Sequence, residues 1–293
     1  MIGLMDLARP GGGATTRGQH ALDPFEPLFP ARFAGEEPPL GPHFTAADVR
    51  RAISEDRLVL WYQPKVEVST GRLCGAEALV RLEDREFGLI APGAFLPSLD
   101  AGDLATLTAW VVERAHVDWQ RFAAAGRPVR LSVNAPPSTL ERSALPALLE
   151  RLRPDHPFWP GMTIEMTETE IVQRVELIHA VIRQLHAQAV SISIDDFGSG
   201  YSSLARLRQI PFAEIKIDRS LIRDCETDES IRIFLKAIRD FAHFHHARVV
   251  AEGVETREEF TAIADIGIDE VQGFFIARPM PVDEFLRAAH GFA

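Results

Sequence analysis

Cysteine is scarce: Cys74 and Cys225 are the only two in 293 residues. Their separation matches neither a zinc-ligand nor a dithiol spacing, which excludes a disulfide framework and paired-thiol chemistry. Two isolated thiols suit a reducing compartment, so the expected location is the cytoplasm. No apolar run approaches the roughly 18 residues of a membrane-spanning helix. The N-terminus lacks a positive region followed by a hydrophobic stretch, so no secretory signal is expected. Basic residues are in deficit, 31 against 42 acidic ones, for a net charge of −11. That balance argues against a nucleic-acid polymer as partner, because its phosphates call for a basic surface. No internal repeat is visible beyond an alternation of strand and helix patterns.

Against these absences stands one dense segment, Ile194-Asp195-Asp196-Phe197-Gly198-Ser199-Gly200-Tyr201. The run Val190-Ser191-Ile192-Ser193-Ile194 alternates like a buried strand, and two adjacent carboxylates close it. Adjacent aspartates repel unless a cation or strong hydrogen bonds hold both as anions. At a strand end before a glycine-rich loop, such a pair is suited to a hard divalent metal; the plainer reading is a helix cap.

The same habit recurs. Leu73–Arg81, Val129–Asn134, Met162–Glu168, Ala213–Asp218, Arg248–Glu255 and Asp269–Gly273 each join an apolar or alternating run to carboxylates, an amide or a cation. Seven strands with polar C-terminal ends predict a barrel whose strand ends converge on one site. Leu58–Gln63 reads as a further, first strand. Between the strands run amphipathic helices: one with Thr45 as cap, one through Leu104, Leu107, Trp110 and Val111, one from Val175 to Leu185, one from Ile231 to Ala242. Thr256 with Glu259 forms a capping box for another, which Gly267 ends. Strand and helix in alternation imply an α/β fold with a mainly parallel sheet. Residues 1–42 hold Gly11-Gly12-Gly13, Pro38-Pro39 and isolated prolines without a sustained period. They read as a disordered or loosely docked leader, in which Phe25, Phe29 and Phe33 offer apolar anchors against the barrel; residues 43–293 form the barrel domain.

The chain resembles the EAL-domain family of cyclic di-GMP phosphodiesterases. The matching pieces are Tyr62-Gln63-Pro64, Glu77-Ala78-Leu79-Val80-Arg81, Asn134, Glu165-Met166-Thr167-Glu168, Asp195-Asp196-Phe197-Gly198, Lys216-Ile217-Asp218, Ala251-Glu252-Gly253-Val254-Glu255 and Gln272-Gly273. They stand in the family's order from about Phe44 to the end. The resemblance implies a modified TIM-type (β/α)8 barrel with one antiparallel strand. It implies hydrolysis of cyclic di-GMP to linear pGpG with two Mg²⁺ or Mn²⁺ ions per site. By resemblance, Glu77, Asn134, Glu165 and Asp195 are ligands of the first metal and Asp196 of the second. Glu252 matches a general base, a second-metal ligand, or both, and Lys216 a residue touching the attacking water or the phosphorane. Glu168 matches the glutamate that holds the Asp-Asp-Phe-Gly loop. Gln63, Leu79 and Arg81 match substrate-contacting positions, with Asp218, Glu255 and Gln272 in the site wall. A homodimer through the loop after Asp196 is expected too, and control by a separate regulatory protein fits a chain with no second domain.

Plainer readings stand beside several of these. Glu255 before Thr256 favours a helix N-terminus. Lys216 and Asp218 share a strand face and suit an ordinary ion pair. Asn134 before Ala135-Pro136-Pro137 suits a turn, and that proline pair departs from the family pattern, as do Ser199, Leu82 and Phe274. His243, His245 and His246 end a helix, where histidine complements the dipole. A rival functional class is a non-catalytic module that binds cyclic di-GMP or a protein partner, and a more distant one is a glycosidase with paired carboxylates.

Overall fold

The computed structural model describes residues 44–142, 145–198 and 207–292. The leader and most of the loop after Phe197 lie outside these. The described residues hold ten strands: β1 (Leu58–Glu67), β2 (Leu73–Asp84), β3 (Gly88–Ile90), β4 (Arg130–Asn134), β5 (Met162–Thr167), β6 (Val190–Phe197), β7 (Glu214–Ile217), β8 (Arg248–Ala251), β9 (Glu270–Val271) and β10 (Met280–Pro281). They form one sheet in the order β10-β1-β9-β8-β7-β6-β5-β4-β2-β3, which the β1–β2 pairing closes into a barrel. β1 runs antiparallel to both its barrel neighbours, β2 and β9, and the remaining barrel pairs are parallel. This is the barrel that the strand pattern predicts, in the modified (β/α)8 form that the resemblance implies. β3 and β10, three and two residues long, escape a periodicity reading and lie outside the closed ring.

Helices cover the barrel, and their starts follow the capping residues. Thr45, the cap expected from sequence, makes with Asp48 a reciprocal capping box for Ala46–Ser54. Asp100 caps the 24-residue helix Ala101–Ala124, which buries Leu107, Val111, Val112, Ala115, Trp119 and Phe122. Thr256 and Glu259 cap Arg257–Ile266, Phe260 and Ile263 face the core, and Gly267 closes it in the left-handed region. On the strands, Leu131, Ile164, Ile192, Ile215 and Val249 are fully buried between barrel and helices. Each such side chain contributes about 1.5–3 kcal/mol of transfer free energy.

The opposite strand face is polar and points into the barrel. Residues two apart share it, so Glu214 and Lys216 on β7 stack along the axis, as do Gln63 and Lys65 on β1. Gly75 lies opposite Lys65 in the β1–β2 register, and a β-carbon there would crowd both the Arg130 carbonyl and the Lys65 stem. Lys65 donates to Glu214 at 2.9 Å, and Ser193 donates to the same carboxylate at 3.0 Å. Both members of that ion pair are almost fully buried. Cys74 and Cys225 are unpaired; burial raises both thiols, Cys225 to about 11, which keeps them protonated and inert.

Candidate active site

At the C-terminal ends of the parallel strands the inner side chains meet around Lys216, which is 1 % exposed. Its ammonium lies 2.7 Å from Glu252, 2.8 Å from Glu165, 2.9 Å from Asp195 and 3.6 Å from Glu77. Burial disfavours the charge, yet these carboxylates hold the lysine well above its ordinary range. The ion pairs of Lys216 therefore run across the barrel. Asp218 caps the short helix Arg219–Ile222 instead, accepting from the Ser220 backbone N–H at 2.9 Å.

Glu77 is oriented on both oxygens. Asn134 donates to Oε1 at 2.7 Å, and Gln272 donates to Oε2 at 2.6 Å. The Gln272 amide also reaches Gln63 Oε1 at 2.9 Å, while Gln63 donates to the Ala277 carbonyl. Asn134 is the last residue of β4, in register with Glu165. The following Pro136-Pro137 leaves that register intact, and Pro137 opens the helix Pro137–Arg142. Burial opposes the charge on Glu77, but Lys216 and the two amides hold its carboxyl below the usual range.

Asp195 and Asp196 are consecutive, and neighbours on a flat strand face opposite ways. The β6–β7 register shifts between Ile194 and Phe197, and Asp196 has φ +52°. Aspartate tolerates this left-handed conformation, and the bulge turns both carboxylates toward one site. Oxygens of Asp195, Asp196 and Glu252 lie within 4.8 Å of one another. Glu168 accepts from the Gly198 backbone N–H at 3.1 Å, which ties the start of the following loop to the helix Glu168–Val172.

Five carboxylates thus gather about one ammonium. Burial raises Glu165 well above its ordinary value, although Lys216 opposes it. Burial also raises Asp196, helped by the charges of Asp195 and Asp218. Glu252 is pushed up to about 8, again by burial first, with Asp195 and Glu77 adding to it against Lys216. Glu165 Oε1 is buried without a hydrogen-bond donor. Such a surplus of hard oxygen donors fits one or two divalent cations of the magnesium or manganese kind, and among the described residues no Cys or His joins the cluster to favour zinc.

A family model described as the EAL domain matches residues 46–279. The chain belongs to the EAL domain family. Among curated relatives, it is 35% identical over 260 residues to the bifunctional diguanylate cyclase/cyclic di-GMP phosphodiesterase MucR of Pseudomonas aeruginosa, covering 82% of this chain and 35% of the relative. It is also 35% identical over 252 residues to the cyclic di-GMP phosphodiesterase NbdA of the same organism, covering 82% and 32%. The chain thus spans about a third of the length of these relatives. Among solved structures, the MucR phosphodiesterase in complex with c-di-GMP superposes with TM-score 0.74 at 33% identity, over 82% of this chain and 98% of that one. The manganese/cyclic-diGMP complex of Klebsiella pneumoniae BlrP1 gives 0.66 at 27% identity, over 77% and 57%.

Within this EAL domain the remaining residues named from sequence fall at varied distances from the cage. Arg81 is buried at the upper part of β2, donates to the Val80 carbonyl and stands 6.0 Å from the Trp61 ring. Leu79 is half-buried on the same strand. Glu255 is exposed and pairs with Arg219 at 2.7 Å, outside the cage. An apolar cavity of about 180 Å³ adjoins Asn134 and Glu165, lined by Val80, Leu96, Leu104 and Leu107. His243 pairs with Asp269 at 2.9 Å, an ordinary surface contact. Sequence reasoning missed Lys65, Glu214 and Arg219. The signal for the first two was their spacing, two residues from Gln63 and Lys216 on faces already known to be polar. Among the described residues no helix is long and apolar enough to cross a membrane.

Proposed function

We propose that this EAL domain is a metal-dependent phosphodiesterase that opens cyclic di-GMP to linear pGpG. The observation that carries the reading is the triad Asp195, Asp196 and Glu252 beside the caged Lys216. Glu77, Asn134, Glu165 and Asp195 would hold a first Mg²⁺ or Mn²⁺, and Asp196 with Glu252 a second. Such a pair supplies a water of lowered pKa and positive charge at the scissile phosphate.

The chain's own groups account for the rest. Glu252 stands beside Asp195 and Asp196, where it would serve as a second-metal ligand, as the base that takes the proton of the attacking water, or as both. The Lys216 ammonium, fixed by four carboxylates, faces negative charge that develops on the phosphorane oxygens. Arg81 is suited to a phosphate oxygen by its planar fork. Gln63 and Leu79 would contact the substrate, and Gln272 holds Glu77 and Gln63 together. Glu168 fixes the loop that follows Asp196. The reading extends to a homodimer through that loop, whose residues 199–206 lie outside the described residues; light scattering checks it.

The test is chromatography of cyclic di-GMP incubated with the purified chain and Mn²⁺ or Mg²⁺. The expected product is pGpG, abolished by EDTA. Tight binding with no linear product would instead make the chain a receptor module.

A further inference from the structure

The turn Glu252–Glu255 carries Glu252 off the end of β8, and only part of it is fixed by the sheet. Glu252 donates its backbone N–H to the Ile217 carbonyl at 3.1 Å. On one side, Val254 donates its backbone N–H to the Gln272 carbonyl at 3.3 Å and accepts from the Phe275 N–H at 2.9 Å, both in the segment after β9. On the other, the Arg219 side chain reaches across from the start of the helix that follows β7. Arg219 donates Nη1 to the Gly253 carbonyl and holds the Glu255 carboxylate with Nη2 at 2.7 Å. Gly253 has φ +65°, and a β-carbon there would meet the Arg219 stem at 2.8 Å. Glycine is therefore required twice over, by conformation and by contact. Arg219 lies three residues beyond Lys216, on the element that Asp218 caps.

We infer that Arg219 and Glu255 form a positioning clamp that fixes Glu252 for cation binding, with Glu255 bracing Arg219 and touching no substrate. One planar guanidinium binds a carbonyl and a carboxylate at once, a geometry that lysine cannot reproduce. The inference rests on the phosphodiesterase reading only for what Glu252 does after a cation binds.

The test uses Mn²⁺ alone, titrated without nucleotide and followed by calorimetry, on the full chain and on Arg219→Ala, Arg219→Lys, Glu255→Gln and the Arg219→Ala/Glu255→Gln double variant. Residues that orient metal ligands typically alter affinity about 10–100-fold. Arg219→Ala should weaken the Glu252-dependent Mn²⁺ site about tenfold, with Arg219→Lys only partly restoring it. Glu255→Gln should weaken it by less, and the double variant should match Arg219→Ala alone, since the two act as one unit. In turnover, kcat should fall with KM within about twofold. Normal Mn²⁺ affinity in a folded Arg219→Ala protein would overturn the clamp, as would strictly additive effects of the two changes. If Arg219→Ala fails to fold, Glu255→Gln decides: unchanged Mn²⁺ affinity there counts against the clamp. Because Mn²⁺ is read without substrate, a chain that binds it normally yet makes no pGpG contradicts the phosphodiesterase reading alone.

Discussion

Glu214 and Lys216 stand two residues apart on β7 and serve two stacked layers of the barrel interior. Glu214 takes the Lys65 ammonium at 2.9 Å, while Lys216 gathers Glu77, Glu165, Asp195 and Glu252. Because β1 runs the other way, Lys65 follows Gln63 in sequence yet lies in the lower layer. One layer is neutralised within the chain; the other is left with carboxylates in surplus. That contrast is why the upper layer is read as a cation site and the lower one as structure.

Removing the caged ammonium should expose the surplus directly. Lys216→Met leaves buried carboxylates without their ion pairs, a change that typically costs about 3–5 kcal/mol. Urea unfolding of the metal-free protein should show a loss of that order, and added Mn²⁺ should recover part of it. Turnover should fall at least about 100-fold. Unchanged metal-free stability would mean that Lys216 does not compensate the cage.

The lower layer sets a pH dependence. Burial alone would raise Glu214, but Lys65 and then Arg248 bring its carboxyl down to about 2 from the ordinary 4.5. An acid held below its unfolded value contributes stability that is present above pH 4.5 and lost as pH falls toward 2. Wild-type stability should therefore decline more steeply than that of Glu214→Gln between those two values. Parallel slopes in acid unfolding curves would contradict the assignment. Lys65→Met, which strands the Glu214 carboxylate, should be strongly destabilised at pH 7, by about 3–5 kcal/mol.

Glu168 reaches the site through the backbone, by way of Gly198 two residues after Asp196. Glu168→Ala should weaken the Asp196-dependent Mn²⁺ site about 10–100-fold while sparing the site built on Glu77, Asn134 and Glu165. Manganese titration separates the two. Equal loss at both sites would show a general loosening of the barrel.

Much of this was legible before any coordinates. Apolar runs with polar ends gave the barrel strands, and capping pairs such as Thr256 with Glu259 gave helix starts. The ordered motifs named every carboxylate that the cage brings together. What stayed hidden depends on geometry that sequence spacing does not carry. The Lys65–Glu214 pair joins residues 149 apart and needs the barrel closed to be seen. The bulge at Asp196 is a single backbone angle, invisible in residue types. The Arg219–Glu255 pair joins a helix start to a turn 36 residues on, a contact that residue types alone do not show.

The central claim is that this site makes water attack a phosphodiester. Hydrolysis in ¹⁸O-labelled water with Mn²⁺ tests it most directly, read by mass spectrometry of the nucleotide products. Attack at phosphorus with departure of the 3′ oxygen places the solvent oxygen on the new 5′-phosphate. The account predicts pGpG bearing one ¹⁸O there, formed over many turnovers and absent with Glu77→Ala. Cyclic di-GMP recovered intact from a stoichiometric complex, or a linear product without the label, would contradict it.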